Sequence, residues 1–216
     1  MKYKEYIALA DKYEVKSFID DDPILFCYIY DNKKDIEIAG IISSWLTFGE
    51  HKMYMSKILY VLTEVMSNTP LEYIMSGKWS RYKDDYSCLY KALTWHNFAM
   101  LCDKLRTIYL NNKDLEDAVL KHYTDRNTKF RYYHQALCDL LSGESMIGSS
   151  TSMGINNRMN MFLRWIIRRD SQVDLGLWRE FKPSNLIVPC NTEYLDIAKK
   201  LKIITKREET LKVAVR

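Results

Sequence analysis

Glycine and proline are scarce, at 7 and 4 in a chain of 216 residues. A β-rich fold places those residues at its many turns, so their shortage argues against one and predicts an all-α chain. Cysteine is also sparse: Cys27, Cys88, Cys102, Cys138 and Cys190 lie far apart and form no CxxC pair. That odd, wide spacing excludes a disulfide framework and a thiolate-held iron–sulfur cluster, and predicts reduced, buried thiols in a cytoplasmic protein. No apolar run approaches the length of a membrane span, and the first residues, MKYKEYIALADKYE, are charged throughout, unlike a signal peptide. No membrane partner is expected. The sequence also lacks GxSxG, Walker, GxGxxG and HExxH patterns, which leaves no serine-hydrolase, phosphate-loop, dinucleotide or zinc-protease signature. His51, His96, His122 and His134 are scattered without metal-ligand spacing, so neither metal nor cofactor is predicted.

What is present is apolar and aromatic. Hydrophobic residues make up 47%, with 16 Tyr and 5 Trp, enough for a substantial core. The net charge of +4 permits a nucleic-acid partner without pointing to one. Helical spacing predicts a first amphipathic helix over 2–13. Asp20 to Asp22 with Pro23 starts a second element, since Asp caps a helix and Pro suits its first turn. The stretch 34–48, apolar on nearly every face beyond Glu37, reads as a central buried helix ended by Gly49. Further helices are expected over 52–67, 71–76, 89–111 with a break near Trp95, 115–123, 128–141, 158–169 and 192–201, and a last one begins at Glu208. A Gly/Ser-rich connector, 142–157, divides an N-terminal helical subdomain (1–141) from a C-terminal one (158–216).

Arg158, Arg164, Arg168 and Arg169 surround an apolar stripe of Met161, Phe162, Trp165 and Ile166. On one helix, Arg158 and Arg169 fall within about one face. Such a cluster contacts phosphate or is a solvated helix face whose cations favour the C-terminal dipole end.

Six segments carry a resemblance: FIDDDPI (Phe18–Ile24), DIEIAGIISSWLTFG (Asp35–Gly49), TWHNF (Thr94–Phe98), NRMNMFLRW (Asn157–Trp165), VDLGLW (Val173–Trp178) and PSNLIVPC (Pro183–Cys190). Through them essentially the whole chain resembles a bacterial family without an assigned function. That family in turn looks like a distant branch of the helix-hairpin-helix DNA glycosylases, nearest to the archaeal 8-oxoguanine DNA glycosylases. The resemblance implies two helical subdomains around a cleft, duplex DNA as partner, and extrusion of a base into a pocket. In that family a lysine amine attacks the sugar while an aspartate assists. The lysine falls at Asn157 and the aspartate at Asn191, with Glu193 where the family has histidine. Both catalytic positions therefore carry amides, which cannot form an imine. Arg158 stays protonated and cannot replace the amine. Glu193, two residues from Asn191, is expected to point away on a helix. No lysine occurs between Lys129 and Lys182.

Related chains continue with more helical sequence, so the ending TLKVAVR predicts a shortened C-terminus with an uncovered apolar stripe. The function implied is a DNA-binding protein on a base-excision repair scaffold, a pseudoenzyme without lyase chemistry. The alternatives are an active monofunctional glycosylase using water and another carboxylate, and a helical interaction module with no nucleic-acid role.

Overall fold

The computed structural model describes residues 3–128, 130–148 and 156–205, and these are mostly helical. The first helix, α1 (Tyr3–Tyr13), leads into short 3-10 turns; the second of these, Pro23–Cys27, is capped by the Asp22 carboxylate, which accepts from Ile24 N at 2.9 Å. Helix α2 (Lys33–Leu46) starts at Asn32, whose side chain accepts from Lys34 N. Every residue from Ile36 to Leu46 is buried, Glu37 included. The helix ends at Leu46, so Gly49, at φ +86°, shapes the turn beyond it instead of capping it directly.

Helix α3 (His51–Tyr60) passes into a π-helical turn (Val61–Val65), and α4 (Pro70–Ser76) follows with Pro70 in its first turn. The expected helix over 89–111 divides at its weak point. Cys88–Tyr90 (β1) pairs antiparallel with Leu93–Thr94 (β2) across a turn in which Lys91 takes φ +51°. Helix α5 (Trp95–Asn111) then starts from a capping box: Thr94 N donates to Asn97 Oδ1 and Asn97 N to Thr94 Oγ1. A strong cap at Thr94 overrides the apolar spacing upstream. Helices α6 (Leu115–Thr124), α7 (Tyr133–Leu141), α8 (Asn157–Ile167) and α9 (Thr192–Lys200) complete the described elements. Residues 149–155 of the expected connector, and the helix expected from Glu208, lie outside the described residues.

Helix α2 is the hub, packed by α8, by the Pro23–Cys27 turn, and by α3 and α4. Packing is tight at Gly40, where an added Cβ would sit 2.8 Å from Phe162 of α8 and 3.2 Å from Cys27 Sγ. One apolar cluster runs from Ile19 to Phe181, across both expected subdomain boundaries, and includes the fully buried Trp45, Trp165 and Trp178. Cys190, Leu195, Ala198 and Ile204 form a second, smaller cluster around α9. Of the five cysteines four are buried, but Cys88 at the hairpin is exposed, contrary to expectation. Among the described residues no helix is long and apolar enough to cross a membrane.

Candidate functional site

The start of α8 is built by a chain of side-chain caps. Asn156 is its N-cap, accepting from Met159 N at 3.2 Å while its amide donates to Ile147 O at 2.8 Å and to Cys138 Sγ at 3.2 Å. Gly148 lies against this amide at φ +110°, and a Cβ there would meet Asn156 Nδ2 at 2.5 Å. Only glycine combines that backbone conformation with so close an approach.

Asn157, the first residue of α8, is half-buried and reaches across to the segment before α9. Its Nδ2 donates to Cys190 O at 3.0 Å, and Cys190 N donates to Asn157 Oδ1 at 2.9 Å. The amide thus imitates one rung of a β-ladder. The next residue, Asn191, is the exposed N-cap of α9 and accepts from Tyr194 N at 2.8 Å. The two positions singled out in the sequence, 34 apart in the chain, therefore stand beside one another where two helix N-termini meet. Glu193 does not point away: Asn191 Nδ2 donates to its Oε2 at 3.2 Å. The helical-wheel expectation fails because Asn191 has extended backbone (ψ 174°), so helical angles do not apply across the cap.

Arg158 is also half-buried. Its Nη1 donates to Trp45 O at 2.7 Å, at the C-terminal end of α2, and its guanidinium lies 5.3 Å from the Phe48 ring centre. A cation here satisfies a carbonyl that the helix leaves unpaired and suits the negative end of its dipole. Burial lowers the pKa of Arg158 from its ordinary value, but a guanidinium remains charged. No carboxylate forms an ion pair with Arg158 among the described residues.

The other three arginines are committed elsewhere. Arg164 Nε lies 3.2 and 3.3 Å from the two oxygens of Asp174, and Arg168 pairs with Asp174 at 3.1 Å and with Glu14. Arg169 Nη2 donates to the carbonyls of Trp178, Arg179 and Phe181. Because α8 ends at Ile167, Arg169 lies beyond the helix, and the expected single cationic face from Arg158 to Arg169 does not form. These three guanidiniums clamp the 170–181 loop.

Glu37 was visible in the sequence only as the polar exception in an apolar helix. Its carboxylate accepts from Trp178 Nε1 at 2.9 Å, Leu115 N at 3.0 Å, Tyr109 OH at 3.1 Å and Glu116 N at 3.4 Å. Burial pushes its pKa up to about 7, against the opposing pull of the donors and of Lys33. With no exposed surface, it ties α2 to α5, α6 and the Trp178 loop and does not face a substrate. Among the described residues no group of His, Cys, Asp and Glu could hold a metal ion.

A family model described as Protein of unknown function (DUF2400) matches residues 22–216. The chain belongs to that family. The matched span takes in α2, the Asn157–Cys190 bridge and α9. Comparison with curated proteins found no match for this DUF2400 member. Comparison with solved structures found none either.

Proposed function

We propose that this chain binds duplex DNA on a helix-hairpin-helix, glycosylase-like scaffold and lacks lyase chemistry. The observation that carries the reading is the juxtaposition of Asn157 and Asn191 through the amide–Cys190 bridge. Of the two positions that the resemblance assigns to an amine and an acid, Asn157 makes this bridge and Asn191 directly follows Cys190. Both are occupied by amides. Helix N-termini favour phosphate through the positive end of their dipoles. Arg158 adds a cation not cancelled by an ion pair among the described residues. With Arg164, Arg168 and Arg169 engaged internally, few phosphates are contacted.

Fluorescence anisotropy with a duplex oligonucleotide tests this. Binding is expected with a shallow dependence of log affinity on log salt, a slope of about −1 to −3 for one to three phosphates. Arg158→Gln should reduce that slope by about 1, with the melting temperature measured alongside. Borohydride should trap no covalent adduct. Absence of DNA binding at low salt refutes the reading.

One observation favours a second reading, a monofunctional hydrolytic glycosylase: Glu193 brings a carboxylate to Asn191. Release of a damaged base from a lesion-bearing duplex, lost in Glu193→Gln, would establish it in place of the first.

A further inference from the structure

Helix α9 carries more apolar surface than the described fold covers. In it only Leu195 and Ala198 are buried, where they join Cys190 and Ile204 in the smaller apolar cluster. At roughly 100° per residue, Tyr194, Ile197 and the C-cap Leu201 form a second stripe beside that buried edge. All three are exposed, Ile197 to 57%. Val188 and Ile203, on the segments that enter and leave the helix, are exposed as well. Scattered apolar side chains are ordinary on a surface. A stripe at i, i+3 and i+7 has the spacing with which one helix packs on another.

The charges along the helix narrow the choice of partner. Glu193 and Asp196 precede Lys199 and Lys200, and Lys202 lies just beyond. Glu193 and Lys200, seven residues apart, fall on one flank of the exposed stripe, about 20° from each other. Turning a second copy end for end sets Glu193 opposite its Lys200. A two-fold axis repeats that contact the other way round. The same register seats Tyr194 on Ile197 of the second copy and sets the two helix dipoles antiparallel. An anionic membrane surface would meet Glu193 and Asp196 along with the lysines, so it suits this face less well.

We propose that a second copy of this chain docks on the exposed face of α9, the two helices packing antiparallel about a two-fold axis. Tyr194, Ile197 and Leu201 form the apolar seam, and Glu193 and Lys200 flank it as reciprocal ion pairs. One short helix from each copy buries less than a standard interface, so the dimer is reversible, with a dissociation constant of about micromolar order. The inference does not depend on the DNA-binding reading.

Sedimentation velocity of the full chain at roughly 1–200 μM, a range that brackets such a constant, tests it. A reductant keeps the exposed Cys88 from crosslinking copies. A monomer–dimer equilibrium is expected. Ile197→Glu, at an exposed position, should weaken it at least about tenfold with the melting temperature unchanged. Lys200→Glu should weaken it too, and the double variant Glu193→Lys with Lys200→Glu should restore it, as the antiparallel register requires. A chain that stays monomeric throughout overturns the proposal and leaves the face to residues 206–216 or to a different protein. A dimer indifferent to Ile197→Glu, or a double variant no tighter than Lys200→Glu alone, overturns it equally.

Discussion

Replacing Asn157 by Ala should loosen α9 without unfolding the rest of the molecule. The substitution removes both hydrogen bonds to Cys190 and leaves that buried N–H without its Asn157 acceptor. An exchange of this kind costs about 2–3 kcal/mol, from two modest bonds lost and a buried group stranded. The location decides where the cost appears. Residues 190–204 form their own apolar cluster, apart from the one that holds α2, α5 and α8 together. The loss therefore falls on local opening of α9, while global unfolding shifts little. Amide exchange in α9, read by mass spectrometry or NMR, should accelerate roughly 30- to 150-fold, since each 1.4 kcal/mol or so is a factor of ten. Exchange in α2 and α5 should stay as it was. Asn157→Asp should show a smaller effect, because a carboxylate still accepts from Cys190 N and suits the first turn of α8. If Asn157→Ala instead lowers the urea midpoint of the whole chain in proportion, with α2 and α9 exchanging in step, the reasoning is wrong.

Two further outcomes follow from the geometry. Gly40→Ala should destabilise by about 1–2 kcal/mol, the overpacking against Phe162 outweighing the gain in helix propensity. A chain of this size would then melt roughly 2–8 °C lower; a rise in melting temperature would show that Phe162 moves aside freely. His96 should make stability pH-dependent. Its Nδ1 faces Lys83 O and its Nε2 lies 3.0 Å from Glu144, so both nitrogens are best used as donors and the folded state raises its pKa, chiefly through the Lys83 carbonyl and also through Glu144. A raised histidine pKa contributes stability that is complete below the ordinary 6.5 and is lost as pH rises through the folded value. Thermal melts from acid to mildly alkaline pH should show a steeper decline in the native chain than in His96→Gln, which keeps the decline due to the raised pKa of Glu37; identical profiles would refute the assignment.

Much of the helical order was legible because apolar spacing and caps agreed. Asp22 with Pro23 marks a start that the fold uses, and the apolar stretch over 34–48 becomes the buried part of α2. The hairpin at Cys88–Thr94 was not legible, because Leu89, Tyr90 and Leu93 suit a helix as well as a short strand. What separates the two is the left-handed Lys91 and the Thr94 cap, and only the second leaves a trace in sequence. At the candidate site, the sequence named Asn157 and Asn191 through a resemblance, not through spacing. It could not tell which arginines were free, since the partners of Arg164 and Arg168 include Glu14, at the far end of the chain. Nor could it foresee Glu193 folding back on Asn191, because that depends on the cap's backbone angles.

The segment between α8 and α9 has no regular helix longer than a 3-10 turn, yet it must deliver Cys190 to Asn157. Polar anchors do this in sequence order. Asp174, gripped by Arg164 and Arg168, fixes its beginning, and Arg169 holds the carbonyls of Trp178, Arg179 and Phe181. Glu37 captures the indole of Trp178 from inside the core, and Tyr133 OH accepts from both Lys182 N and Asn185 Nδ2. Each anchor satisfies a buried or half-buried group that would otherwise lose its hydration without return. The placement of Asn191 is thus inherited from arginines and a buried glutamate that never touch it. The same commitment that removes Arg164, Arg168 and Arg169 from phosphate binding is what brings the two amides together.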